Sequence, residues 1–137
     1  MFQALDLSTS GLVAQRYRMD TIAGNIANIN TTRDEAGNVT PFQRRFVSFM
    51  AEQEKRNSQG RGVGVKFHVE IDRKTPPRKI YQPGHPDADA EGLVTYPGID
   101  LTKEFVNALE ASRAYEANVA TIDISKGMYL QALKILA

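Results

Sequence analysis

The residues best suited to chemistry stand together in PGHPDADAEG, residues 83–92. His85, Asp87, Asp89 and Glu91 offer one imidazole and three carboxylates, a ligand set that suits a divalent metal. In an extended segment their alternation would put all four on one side. Their spacing matches neither a calcium loop nor a helical zinc motif. Pro83, Gly84, Pro86 and Gly92 mark the stretch as a surface turn, and a turn is the reading the pattern favours. The alternative is a metal-dependent enzyme using His85 and its neighbouring acids. The second histidine, His68, falls on the polar side of an alternating run and reads as a solvent-facing sheet residue. No serine sits in a nucleophile elbow, and GRGVG (60–64) is followed by no helix start that would make it a phosphate loop. With no cysteine in the chain, thiolate zinc sites, disulfides and cysteine nucleophiles are excluded. No catalytic constellation emerges, and neither a metal nor another cofactor is expected.

A second chemistry to weigh is nucleic-acid binding. Arg44, Arg45, Lys55, Arg56, Arg61, Arg73, Lys74, Arg78 and Lys79 are interleaved with Phe42, Phe46, Phe67 and Tyr81, as in single-strand binders. Residues 33–99 hold eleven Lys or Arg but also nine Asp or Glu, and the whole chain carries a net charge of only +1. A field this nearly cancelled does not attract phosphate backbones, so no nucleic-acid partner is expected. A solvated or salt-bridged protein surface is the simpler reading.

The elements that must position these residues fall into three parts. Residues 1–32 hold four charged side chains, residues 33–99 hold twenty and all six prolines, and residues 100–137 are again proline-free. The composition, 42% hydrophobic and 24% charged over 137 residues, is that of a folded domain and not of a disordered chain. No stretch approaches the roughly 20 apolar residues that cross a bilayer, so no membrane insertion is expected. Residues 1–20 lack a basic n-region followed by an apolar core, so no cleavable secretory signal is expected.

Both ends read as helix. Leu5, Leu12, Met19 and Ile26 recur every seven residues, with Ser8, Gln15, Ile22 and Ile29 as a companion seam. Ala14, Ala23, Gly24 and Ala27 are small enough to admit a neighbouring helix. Asn28, Asn30, Thr31 and Thr32 favour caps and turns, which places the helix end near Ile29. At the other end, Leu101, Ala108, Tyr115, Ile122, Tyr129 and Leu136 recur every seven residues without a break. Phe105, Ser112, Val119, Lys126 and Leu133 are the expected second seam. Asp100 reads as the N-cap, Glu104 as a first-turn charge suited to the helix dipole, and Lys134 as its C-terminal counterpart. A helix of about 36 residues would be about 54 Å long.

The fold class is therefore mainly α with a small β insert. A helix over 1–32 and one over 100–137 pair as a coiled coil, and 33–99 is irregular and β-rich. In the insert, Val63, Val65, Phe67, Val69 and Ile71 alternate with polar residues as a half-buried strand does. Short strands are also expected around Phe42–Phe49 and at Leu93–Tyr96, and residues 57–64 read as mobile. Val13 and Tyr17 on the first helix, and Leu109, Met128 and Leu130 on the second, lie off the seams. They suggest further helical neighbours from other chains. A closed helical hairpin acting as a cytoplasmic adaptor is the reading in which no such neighbours exist.

Three motifs give the chain a resemblance to a known family. AGNIANINTT carries Asn25, Asn28, Asn30 and Thr31 after an amphipathic helix. YQPGHPDADAEGLVTYPGIDL runs from Tyr81 to Leu101, with Pro83, Gly84, His85, Pro86, Asp87, Asp89 and Gly92 in place. ASRAYEANVATI carries Arg113, Tyr115, Glu116 and Asn118. In these the chain resembles the flagellar basal-body rod proteins, most closely their small proximal-rod branch, from first residue to last. Leu93 stands where the family commonly has an aromatic residue, and Gly98 where it commonly has asparagine.

The resemblance implies terminal helices in an inner coiled-coil layer, a β-rich insert outside it, and no enzymatic activity. It also implies helical stacking with further copies and other rod proteins into a periplasmic drive shaft that transmits torque. Export would run through the flagellar type III apparatus. Another rod or hook axial protein is the nearest alternative. On this reading Leu5, Leu12, Met19, Ile22, Ile26, Leu101, Phe105, Ala108, Tyr115, Val119, Ile122, Tyr129, Leu133 and Leu136 supply inter-helix and assembly contacts. Asn25, Asn28 and Asn30 fix how the insert leaves the helix, and Arg113 and Glu116 make polar contacts between elements or subunits.

Overall fold

The computed structural model describes residues 2–51 and 64–136. Lys55, Arg56, Gly60, Arg61, Gly62 and Val63 lie outside the described residues, as does most of the stretch read as mobile. Helix α1 spans Phe2–Ala27, strands β1 Arg45–Ala51, β2 Val65–Ile71, β3 Arg78–Tyr81 and β4 Leu93–Tyr96, and helix α2 Leu101–Leu136. Strands β1 and β2 pair antiparallel, with Arg45 opposite Ile71 and Ala51 opposite Val65. Strands β3 and β4 form a separate antiparallel ribbon. The fold is mainly helical with a small β insert, as the patterning indicates.

The two helices pack antiparallel. Asn25 meets Glu104, Arg18 meets Glu110, and Gly11 lies against Asn118. All eight expected seam residues of α1 are at least partly buried. On α2 the expected first seam also turns inward at Ala108, Tyr115, Ile122 and Tyr129. Leu101 is exposed, and the Leu136 side chain is not among the described ones.

The second seam of α2 is displaced by one residue. Phe105, Val119 and Leu133 face outward, and the inward positions are Glu104, Ala111, Asn118 and Ser125. Small and polar residues take these places because the backbones come close. A methyl on Gly11 would sit 3.1 Å from Asn118 Nδ2, and Ala14 and Ala111 are both buried. Large apolar groups would hold the helices apart. Ala23 and Ala27 are exposed and Gly24 has open space above it, so of the small residues on α1 named above only Ala14 lies in the packed seam.

The β1–β2 ribbon lies on a third stripe of α1. The Ser10 hydroxyl accepts the Val65 amide at 3.1 Å. Tyr17 stacks on Phe67 with ring centroids 4.4 Å apart. Asn25 brackets the backbone of Arg45. Fifteen helical residues and six strand steps both span about 20 Å, so helix and ribbon run in register. Tyr17, read from sequence as a group awaiting another helix, thus has its partner inside its own chain.

Strand β3 lies in RKIY between Pro77 and Pro83, where the prolines hid it; all four residues are exposed and belong to an edge. Asp100 caps α2, its Oδ1 accepting the Thr102 amide at 2.9 Å and the Lys103 amide at 3.3 Å. Just before it, Gly98 packs so tightly that a Cβ there would lie 2.3 Å from the Pro76 carbonyl oxygen. The family's commoner asparagine does not fit this chain. Gly98→Asn is expected to lower stability by about 2 kcal/mol through forced backbone displacement, read as a lowered urea midpoint.

Candidate functional site: a buried polar junction and an outward apolar stripe

Three elements meet at one carboxylate. Glu104, in the first turn of α2, is 0% exposed. Its Oε1 accepts from Arg44 Nε at 2.8 Å and from Nη2 at 2.7 Å, a two-point pairing with the residue just before β1. Its Oε2 accepts from Asn25 Nδ2 at 3.0 Å. Arg44 also lies 3.5 Å from Asp72, just after β2.

Asn25 is 1% exposed and fully engaged. Its Nδ2 donates to the Arg45 carbonyl at 2.7 Å as well as to Glu104, and its Oδ1 accepts the Arg45 amide at 2.9 Å. The side-chain amide imitates one residue of a neighbouring strand and fixes where β1 begins. Sequence reasoning read Glu104 only as a dipole charge and missed this junction. The available signal was a carboxylate falling on the inward side of the heptad, seven residues before Ala111.

The remaining asparagines differ. Asn28 donates to the Gly24 carbonyl at 2.9 Å and accepts the Thr31 hydroxyl at 3.0 Å, closing α1. Asn30 is exposed.

The PGHPDADAEG segment is the β3–β4 connection, and its acids do not converge. The Asp87 carboxylate turns back to the chain leaving α1. It accepts from Arg33 Nε at 2.7 Å and the Thr32 hydroxyl at 2.7 Å, and pairs with Arg33 Nη2. The Asp87 amide donates to His85 Nδ1 at 3.1 Å. Asp89 accepts the amides of Glu91 and Leu93, both at 2.9 Å, and shapes its own turn. Gly92 takes φ +76°, and a Cβ there would meet the Tyr81 ring at 2.9 Å. Among the described residues no group of three or more acidic, histidine or cysteine side chains is placed to hold a metal ion.

The hydrogen bonds from Arg33, then from Thr32, hold the Asp87 carboxyl below the usual aspartate range. A group depressed in this way stabilises the fold fully above its unfolded pKa of about 4. That contribution is lost as pH falls through the lower folded value. Asp72 is also depressed, chiefly by the Thr75 hydroxyl, and Asp34 by Asn38. Asp87→Asn is therefore expected to lower the melting temperature at pH 6. The gap to wild type, followed by circular dichroism, should be full above about pH 4 and narrow as pH falls below it. A gap that does not change with pH would show that the Asp87 charge contributes nothing.

The outer surface of α2 is unusually apolar. Phe105, Val119 and Leu133 stand fourteen residues apart and Leu109 and Leu130 twenty-one. Multiples of seven make these two rows, and the offset of four from Phe105 to Leu109 sets the rows side by side as one exposed stripe. Leu109 is 62% exposed and Leu130 53%. Glu116, Asp123 and Lys126 interrupt the stripe. Arg113 and Glu116 are exposed. Since Asn25 pairs with Glu104, Phe2 lies near residue 127. The last nine or so residues of α2 overhang by about 13 Å, and Ile135 there is 85% exposed.

Comparison with known proteins identifies what kind of chain carries these features. Residues 5–33 match the family model of flagella basal body rod proteins. Residues 90–135 match the C-terminal model of flagellar basal body rod FlgEFG proteins. A flagellar basal-body rod protein FlgC from Bacillus subtilis is 39% identical, over 98% of this chain and 97% of its own length. The chain belongs to the flagellar basal-body rod protein family. The FlgC of Borreliella burgdorferi is 37% identical over 99% of this chain and 97% of its own, and that of Salmonella typhimurium 33% over 98% and 97%. In this rod-family chain the matched regions contain Asn25 and Glu104, whereas Arg44 and Asp72 come from the stretch between them. The junction is where the two helices of this chain, each within a matched region, grip its insert. No described helix is long and apolar enough to cross a membrane.

Proposed function

We infer that this chain is a structural, non-enzymatic subunit of the flagellar basal-body rod, working as FlgC does in the proximal part of the shaft. The observation that carries the reading is similarity to FlgC proteins along the whole chain. The physical features agree with it. A rod subunit needs a stiff paired-helix body, and the α1–α2 pair supplies one. It needs surfaces that bury only on assembly, and the outward stripe with the α2 overhang supplies those. It needs a fixed angle between helices and insert, and the Asn25–Glu104–Arg44 junction supplies that.

On this account the partners are further copies and other rod proteins. The subunit reaches the periplasmic rod through the flagellar type III export apparatus. Leu5, Leu12, Met19, Ile22, Ile26, Ala108, Tyr115, Ile122 and Tyr129 hold the helix pair. Phe105, Val119 and Leu133 make contacts between subunits together with Leu101, and Arg113 and Glu116 add polar contacts at those interfaces. The test is complementation of a strain lacking its own copy of this subunit. The intact chain is expected to restore swimming, and Tyr115→Asp with Ile122→Asp to abolish it by opening the pair. Normal swimming of the double variant would contradict the reading.

A further inference from the structure

We propose that His85 is a proton-operated latch: charging its ring draws the Asp87 carboxylate away from Thr32 and loosens the tip of the β3–β4 ribbon from the end of α1. The latch uses only groups of this chain and works whatever the chain assembles with. Among the described residues, every hydrogen bond from the 82–92 loop to the chain outside the ribbon ends on Asp87. Its Oδ1 takes Arg33, and its Oδ2 takes the Thr32 hydroxyl at 2.7 Å. Thr32 is buried and the Asp87 side chain is 4% exposed, so these bonds form away from water.

His85 lies beside this tether. Pro86 has no amide proton, so the next donor along the chain is the Asp87 amide, which donates to His85 Nδ1 at 3.1 Å. That bond needs the Nδ1 lone pair, and so the uncharged ring. Nδ1 also lies 4.0 Å from Asp87 Oδ2, the oxygen that Thr32 holds. The charged groups around the ring are Asp87 of its own loop and, behind it, Arg33 of the chain leaving α1. Strand β4 presents the Tyr96 ring, 6.3 Å away between centroids. Asp89 is occupied by its own turn, and Glu91 is exposed. The imidazole is 30% exposed, so protons reach it from solvent.

Protonation sets two N–H donors against each other, and the ring turns to Oδ2. After Arg33 and Thr32, the charge of His85 is itself among the influences that favour the Asp87 carboxylate. A charge-assisted bond closes to about 2.8 Å. Ring and carboxylate must therefore approach by about 1 Å, and the carboxylate leaves Thr32. Arg33 keeps its pairing throughout, so Asp87 exchanges one donor for another and the step is reversible. An ordinary imidazole changes charge at about pH 6.5.

Thr32→Val removes the hydroxyl with little change of shape and reports whether the tether is engaged. It is expected to lower the urea midpoint at about pH 7.5, where the ring is uncharged. At about pH 5.5 it is expected to cost roughly a third as much or less. His85→Asn offers a neutral acceptor in place of Nδ1 and does not titrate, and in that background Thr32→Val should cost the same at both pH values. Equal costs at the two pH values with His85 in place would overturn the proposal. So would a pH difference that persists with His85→Asn, since another group would then be responsible. Nuclear magnetic resonance tests the same step with His85 retained. The chain has two histidines, and His68 is exposed on β2, so His68→Gln leaves one imidazole signal. The Asp87 amide and Thr32 methyl signals are expected to move with the midpoint of that ring. An Asp87 amide that keeps its shift while the ring titrates would overturn the latch. Neither measurement involves assembly, so its result is independent of the complementation test of the rod reading.

Discussion

Arg44→Leu is expected to be the most damaging single change to the isolated fold, lowering stability by about 3 kcal/mol. It strips the buried Glu104 carboxylate of its only cation within hydrogen-bonding distance among the described residues and leaves it with Asn25 alone. The reverse deletion should cost less. Arg44 is 23% exposed at its side chain, so Glu104→Gln leaves its guanidinium with water and with Asp72. This asymmetry separates a buried-charge penalty from simple loss of a contact. Removing both charges, as Arg44→Leu with Glu104→Leu, should recover at least half of the loss, because the pair is costly to halve and far less costly to replace. The measurement is thermal unfolding by circular dichroism. A drop of about 10 °C is expected for Arg44→Leu. Equal effects of the two single changes would show that burial is not what sets the cost.

The second large effect is on assembly and not on folding. Leu109→Asp with Leu130→Asp alters two residues more than half exposed on the outer stripe of α2. Placing carboxylates in water there changes the stability of the lone subunit by no more than about 0.5 kcal/mol. In the rod the same carboxylates would be buried against a neighbour without partners. Swimming is expected to fall at least tenfold while melting stays near wild type. That dissociation is the signature of an assembly surface. Normal swimming would mean that the stripe faces water in the rod as well.

The helices were readable because their signal is periodic and long. Every expected seam residue of α1 is at least partly buried, and the seam through Ala108, Tyr115, Ile122 and Tyr129 turns inward. The companion seam of α2 was misplaced for a physical reason. Periodicity finds large apolar residues, and here those at 105, 119 and 133 form an outward stripe. The helix pair closes over Glu104, Ala111 and Asn118. Tyr17 was assigned to a missing helix because sequence does not reveal that β2 brings Phe67 alongside it. Strand β3 escaped notice because four residues between prolines carry no periodicity. Of the junction only the inward heptad place of Glu104 was legible: Asn25, Arg44 and Glu104 are distant in sequence, and only folding makes one residue's donors serve another's carboxylate. The role of Asp87 as a tether for Arg33 was hidden in the same way, behind a spacing that resembled a ligand set.

The most direct test of the central claim is site-specific photo-crosslinking in swimming cells. A benzophenone amino acid at Leu130 would replace a residue of the outer stripe, and basal bodies would be isolated after irradiation. The expected result is this chain within the basal-body fraction, covalently joined to rod subunits. Recovery only as uncrosslinked soluble protein, from cells whose swimming depends on it, would contradict the account of a rod subunit that buries this face on assembly.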